Sequence, residues 1–204
     1  MSVEFSESEV EIVCAAIAHR RSMGLARVHA DMPIEKAMVE RVLRAADWAP
    51  SHGETEPWRF TVYTGDSRLA LGEAFAEAYK SDTTEETFKP NTYEANLNKA
   101  VSAPVWISLG MSPKLREDGS LMMTELEEML AVACAVQNLH LVANAQGLAG
   151  MWLSKGVYVH PHVARFVGLE PPSRLLGFSF LGYPNIPWTE GERLPLETKV
   201  RWME

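Results

Sequence analysis

Apolar and polar positions follow two rhythms along this chain, and the change from one to the other marks its elements. Val10, Val13, Cys14 and Ile17 recur at helical spacing behind Ser6-Glu7-Ser8-Glu9, a capping-box sequence. They predict a first helix that runs out at His19-Arg20-Arg21, where basic side chains suit the negative end of the helix dipole. A second helix is predicted from near Pro33, with Val39, Val42, Leu43 and Ala46 on one face, and it stops at Pro50. Asp66 is placed to cap a third helix, bearing Leu69, Leu71, Ala74, Phe75 and Ala78. Residues 124–146 form the strongest helical segment: it lacks Gly and Pro and is apolar on nearly every side through 130–136. Such a helix is predicted to be buried, as the spine of the core or of a subunit interface, with Gly147 as its C-cap. Pro161 opens a last helix that reaches Gly168.

Four segments read as strands: 58–63, 103–109, 149–153 and 174–182, short apolar runs bounded by Pro or Gly. Residues 81–98 are polar and weakly patterned, are interrupted by Pro90, and predict a mobile excursion or lid. The stretch 111–118 is turn-like, and the Pro-rich tail, 183–204, with Trp188 and Trp202, reads as an extended arm that needs a surface to pack on. Irregularly mixed strands and helices predict an α+β sheet covered by helices, in one domain spanning 1–204. No strand is followed by a G-x-G-x-x-G fingerprint and there is no P-loop, so neither dinucleotide Rossmann binding nor P-loop chemistry is supported.

Composition narrows the classes. Net charge is 19 − 27 = −8, which argues against a nucleic-acid partner. Basic groups are instead local, at Arg20-Arg21 and at Arg193, Lys199 and Arg201, a pattern suited to a small anion such as phosphate. Cys14 and Cys134 sit among apolar neighbours and are predicted to be buried structural thiols. The acidic N-terminus has no signal-peptide pattern, and the apolar tract at 130–136 is too short to span a bilayer. The expectation is a soluble cytoplasmic protein with no membrane partner.

Candidate chemistry falls in three places. Arg20-Arg21-Ser22 joins two guanidinium forks to a hydroxyl past a helix end, a set able to hold a phosphate, although two Arg there also suit a solvated terminus. The loop Ser51-His52-Gly53-Glu54-Thr55-Glu56 connects helix to strand and carries a histidine that suits a base, a ligand or a surface role. Gly147-Leu148-Ala149-Gly150-Met151-Trp152-Leu153-Ser154 returns from helix to strand, where glycine serves a tight turn or a close backbone approach to a ligand. His160-Pro161-His162 lacks a carboxylate or Cys nearby and reads as a helix start rather than a metal site. Trp58, Phe60, Phe75 and Trp106 read as core aromatics.

The order Arg20-Arg21-Ser22, a helix, Ala49-Pro50-Ser51, a polar loop and Pro57-Trp58, then the long helix, the Gly150–Ser154 segment and Leu176 to Pro184, resembles the flavin-dependent nitroreductase family, in particular its compact subgroup. The resemblance covers about Ile17 to Trp202 and rests on the order of motifs. It implies a nitroreductase-like fold, a central mixed or antiparallel sheet flanked by helices, in an intertwined homodimer with FMN at the subunit interface. It implies ping-pong chemistry, in which NADH or NADPH reduces the flavin at N5 and leaves before a small electron acceptor, such as a nitroaromatic or quinone, enters. By the same resemblance Arg20, Arg21 and Ser22 hold the FMN phosphate, His52 and Trp48 the ring and ribityl region, and Gly150, Trp152, Leu153 and Ser154 the opposite edge. Arg193, in Arg193-Leu194-Pro195, matches a tail arginine that reaches the phosphate in many members. No side chain is assigned as acid or base. Glu54 and Glu56 depart from the family's usual Asn and Gln and add negative charge near the expected flavin. Dehalogenation or flavin breakdown on the same scaffold, and flavin binding without turnover, stay open as alternatives.

Overall fold

The computed structural model describes residues 4–204. The capping box forms: Ser6 N–H donates to Glu9 Oε2 at 2.8 Å, and α1 (Glu7–His19) follows. Helix α2 (Lys36–Asp47) begins a few residues after Pro33, later than the sequence suggests, and buries Val39, Val42 and Ala46. Strand β1 (Trp58–Tyr63) precedes α3 (Ser67–Ser81) and α4 (Pro90–Leu97). Strand β2 (Val105–Met111), α5 (Glu125–Ala145), β3 (Ala149–Leu153), α6 (Pro161–Phe166) and β4 (Arg174–Gly182) complete the order.

The strands form one sheet in the order β1-β2-β4-β3, with every neighbouring pair antiparallel. Side chains alternate across it, as strand geometry requires. Trp106, Phe178 and Phe180 pack with Leu71, Ala74 and Phe75 of α3 on one face. Val105, Ile107, Leu109 and Leu181 pack with α2 and with Ala131, Val132, Ala135 and Leu139 of α5 on the other. The alternation slips at Gly177 (φ 126°), beside an irregularity in the β2–β4 register. A Cβ on Gly177 would stand 2.1 Å from the Leu153 carbonyl oxygen, so only glycine fits this bulge.

Several expectations need correction. Residues 81–98 are not a bare excursion: α4 lies within them, packs on α3, and is tied by Tyr79–Phe88 and Phe88–Tyr93 ring contacts. Leu69 is exposed, because α3 turns its Leu71–Phe75 side to the sheet. Both cysteines are free and exposed. Cys134 lies outside the buried stripe of α5 that Ala131, Val132 and Ala135 form, and α1 buries none of its residues. Thus α5 is not buried all round: Leu126, Leu130 and Cys134, at helical spacing, face outward. By length and apolarity α5 exceeds the tract considered from sequence and could cross a bilayer. Its inner face is nevertheless packed on the sheet, and Glu125, Glu127 and Glu128 occupy its first turn, as in a core helix.

Candidate functional site

One group of candidates gathers where α1 ends. Ser22 makes a parallel bridge with Gly150, and Met23 N–H donates to the Gly150 carbonyl at 3.1 Å, so Arg20-Arg21-Ser22 is fixed against the start of β3. Beside it, His19 at the end of α1 donates its Nδ1–H to Asn144 Oδ1 of α5 at 3.0 Å, and His140 Nε2, also on α5, shares a 2.9 Å hydrogen bond with Ser179 Oγ. Burial, with the Arg20 charge adding, pushes the His140 imidazole down to about 4, so it is neutral at pH 7. Arg20 Nε is buried without an acceptor among the described residues. A buried guanidinium nitrogen with no partner is costly, and it fits a site completed by an anion.

Arg21 is differently employed. Its Nη1 donates to the carbonyls of Ala18 (2.6 Å) and Arg20 (2.8 Å), closing the end of α1, and its Nε donates to Thr189 O at 3.1 Å. Its guanidinium lies on Gly191, where a Cβ would come within 2.3 Å of Cζ. Trp188 packs on His19 with ring centroids 5.0 Å apart. The tail therefore crosses the Arg21 side of this site, and Arg193 follows two residues later, its Nη1 on Glu192 O at 2.7 Å.

A second group gathers around the loop before β1. Trp48, at the C-cap of α2, is 88% exposed. His52 Nδ1–H donates to Glu127 Oε1 at 2.8 Å, in the first turn of α5. The His52 and Thr124 hydrogen bonds hold the Glu127 carboxyl down at about 2. Thr55 Oγ1–H donates to Glu128 Oε2 at 2.7 Å, while Glu128 Oε1 is buried without a partner among the described residues. Glu54 (φ 51°) and Glu56 (φ 45°) adopt left-handed backbone, and both are exposed. Arg59 gives its Nη1 to the carbonyl oxygens of Glu56 (2.9 Å) and Trp58 (2.7 Å), not to a loop carboxylate.

The third group is β3 and its exit. Gly150 is required by the sheet, since a Cβ there would meet the Phe180 carbonyl oxygen at 2.1 Å. Trp152 spends its indole N–H on Leu176 O at 2.9 Å and packs in the core, while Ser154 is exposed just past the strand. Beyond it stands a group the sequence reading missed. Lys99 Nζ donates to the buried Asn96 at 2.9 Å and lies 5.5 Å over the Tyr158 ring. Burial lowers the Lys99 ammonium from its ordinary range. Its only sequence signal is a Lys three residues after an Asn in a polar segment. His160-Pro161-His162 starts α6, with His162 N–H donating to His160 Nδ1 at 3.1 Å.

The first and second groups stand at opposite ends of α5. His19 is bonded to Asn144 and His52 to Glu127, and at 1.5 Å per residue those α5 positions are about 25 Å apart. One chain thus brings Arg20, Arg21, Ser22 and Gly150 together with the tail at Thr189 and Gly191, and it leaves His52 remote from them.

Residues 17–183 match the family described as Nitroreductase family. The chain is 24% identical over 157 residues, 77% of its length and 81% of the relative's, to the Escherichia coli K12 protein named "Putative NAD(P)H nitroreductase YdjA". A nitroreductase-like family protein from Bacillus cereus superposes with a TM-score of 0.78 at 26% identity, covering 100% of this chain and 99% of that one. The FMN-dependent nitroreductase NfnB from Mycobacterium smegmatis, solved in complex with NADPH, shares the fold with a TM-score of 0.71 at 18% identity, over 96% of this chain and 100% of that one.

Proposed function

The chain belongs to the nitroreductase family, and we propose that it acts in the cytoplasm as a homodimeric FMN-dependent oxidoreductase. It takes electrons from NADH or NADPH by a ping-pong route and passes them to a small acceptor, a nitroaromatic or a quinone. The observation that carries this reading is the separation of the candidate residues along α5. The basic end and the His52 loop lie about 25 Å apart, farther than one FMN reaches. A second copy packed with its α5 reversed brings the His52 loop of one chain to the basic end of the other. The surface for that packing is present: Leu126, Leu130 and Cys134 on α5, and Val10, Val13 and Ile17 on α1, are apolar and exposed. The E. coli relative is named an NAD(P)H nitroreductase and NfnB an FMN-dependent nitroreductase solved with NADPH, which supports the nicotinamide and FMN assignments.

Bound FMN supplies a carrier that accepts hydride from a nicotinamide and returns the electrons to an acceptor. This chain's residues position it. Arg20 supplies a buried guanidinium nitrogen and Ser22 a hydroxyl for the phosphate. Arg21 braces the helix end and the tail, and Arg193 on that tail is assigned to the same anion by the resemblance alone. His52 keeps a proton on Nδ1 against Glu127, so its Nε2 is the atom turned to the ring and ribityl side. A nitro acceptor takes two electrons and two protons to give a nitroso product and water.

The test is anaerobic. Purified holoprotein should bleach at the flavin band on adding NADPH or NADH and recover on adding a nitroaromatic or quinone. Double-reciprocal plots at several acceptor concentrations should be parallel. A protein that holds FMN yet neither bleaches nor recovers is a flavin binder and not this enzyme.

A further inference from the structure

The chain between α3 and β2 leaves the protein body at Asp82, the C-cap of α3, and returns at Lys99, past the end of α4. Its first residues, 82–87, are mostly exposed. Both ends of this excursion reach one short segment, 155–160. At the entry, His160 Nε2 and Asp82 Oδ1 are hydrogen-bonded at 3.1 Å. At the exit, Lys99 Nζ lies 5.5 Å over the Tyr158 ring while donating to the buried Asn96. The two contacts close a clasp between the excursion and the segment that follows β3 and the exposed Ser154.

Geometry sets the His160 tautomer. Its Nδ1 accepts the His162 N–H at 3.1 Å as the N-cap of α6, so Nε2 carries the proton and donates it to Asp82. The clasped segment has little to hold it from within. Gly156 turns it with φ 56°, and its own backbone bonds are long: Tyr158 N–H to Lys155 O at 3.3 Å and His160 N–H to Val157 O at 3.4 Å. Side chains set its place instead. The Tyr158 ring packs on Phe75 and Trp106 with Lys99 over it, and His160 is tied to Asp82. A shift of this turn acts on Ser154, which precedes it directly.

We propose that Asp82, Lys99 and His160 are positioning residues for FMN: through the clasp they fix the turn after β3, and with it Ser154 at the edge assigned to the flavin, and they tie that edge to the exposed excursion. This rests on the FMN-dependent function proposed above.

The experiment follows amide hydrogen exchange by mass spectrometry in the holoprotein, together with the visible circular dichroism of its flavin. Wild type is compared with Asp82→Ala, Asp82→Asn and Lys99→Met, and with Glu86→Ala as a control at an exposed position of the same excursion. A pair whose Asp82 side chain is 68% exposed adds little to global stability, so its loss is read locally. Asp82→Ala and Lys99→Met should each speed exchange of the amides at 155–160 by about threefold or more and change the flavin dichroism. Asp82→Asn, whose Oδ1 still accepts from Nε2–H, should keep both near wild type, and Glu86→Ala should alter neither. Faster exchange confined to 82–89, no rescue by Asp82→Asn, or an equal effect from Glu86→Ala overturns the clasp. Faster exchange at 155–160 with unchanged dichroism overturns the positioning role while leaving the oxidoreductase function standing. A wild type that retains no flavin overturns that function and the positioning role with it.

Discussion

Arg20 and Arg21 are adjacent and chemically identical, yet the fold gives them separate work. Arg20 has a buried nitrogen without an acceptor, whereas Arg21 is committed to the α1 carbonyls and the tail. Arg20→Ala should weaken FMN binding by about 2–3 kcal/mol, the scale of a lost charged hydrogen bond, as read by flavin titration of the apoprotein. Arg21→Ala should do less to FMN and more to the tail, seen as faster proteolysis near Thr189. Equal losses of FMN in the two variants would count against this division. His140 beneath Arg20 gives a pH signature. Its folded value, about 4, lies below the ordinary 6.5, so the unfolded chain binds the extra proton between them. Stability is therefore fully present above about 6.5 and falls as pH drops toward 4, by about 3 kcal/mol at most. His140→Gln should flatten that slope in urea titrations at pH 7 and pH 4.5. Glu54 offers a third test. An Asn tolerates left-handed backbone better than Glu, so Glu54→Asn should raise stability by up to about 1 kcal/mol in thermal unfolding. With FMN seated as proposed, the same change removes a charge near it and should raise the midpoint potential by about 1 kcal/mol-equivalent or less, since the side chain is exposed. A stabilised protein with an unmoved potential assigns Glu54 to the loop alone.

The elements themselves were largely legible from residue order. Strands 58–63, 149–153 and 174–182 were readable because short apolar runs end at Pro or Gly, and their bounds agree with β1, β3 and β4. Helix α4 was not, because its anchoring is by aromatic contacts and by Lys89 N–H donating to the Tyr79 hydroxyl at 2.9 Å, ten residues away. The burial of Cys14 and Cys134 was misjudged for a related reason. An apolar neighbourhood marks an apolar helix but cannot say which of its sides meets the sheet. The first two candidate clusters were visible as motifs, but their separation along α5 was not, since it depends on which helix end each loop reaches. Helix α5 starts on a full capping box: Thr124 Oγ1 accepts from Glu127 N–H at 3.3 Å, and Glu127 Oε2 accepts the Thr124 N–H at 3.0 Å. Thr124→Ala should cost about 1 kcal/mol of stability. Because Glu127 also holds His52, it should alter the affinity for FMN as well. A stability loss with FMN affinity untouched would mean the cap and the loop are uncoupled.

At the scale of the whole molecule, the proposed dimer accounts for both the unburied apolar surface and the separation of the candidate residues. A single chain leaves α1 with no buried residue and leaves Leu126, Leu130 and Cys134 of α5 facing outward. Obligate interfaces of about 2,000 Å² or more are built from such surfaces. Reversed packing of two copies would cover these residues and complete two sites in one step. Cofactor binding and dimerisation should then be a single linked equilibrium, with FMN raising the dimer's stability by mass action. Leu130 is the position to test, because it is 57% exposed in the single chain and makes no demand on the protomer core. Leu130→Glu should leave the far-ultraviolet circular dichroism unchanged. It would place an unpaired charge in the interface and weaken dimerisation by about 3 kcal/mol or more, roughly a hundredfold in dissociation constant. Light scattering at micromolar protein should show a shift toward monomer, and FMN should be lost in proportion to the monomer formed. A folded variant that is monomeric yet retains FMN at wild-type affinity would mean that one chain holds the cofactor by itself, and the assignment of Trp48 and His52 to a site shared between copies would fall.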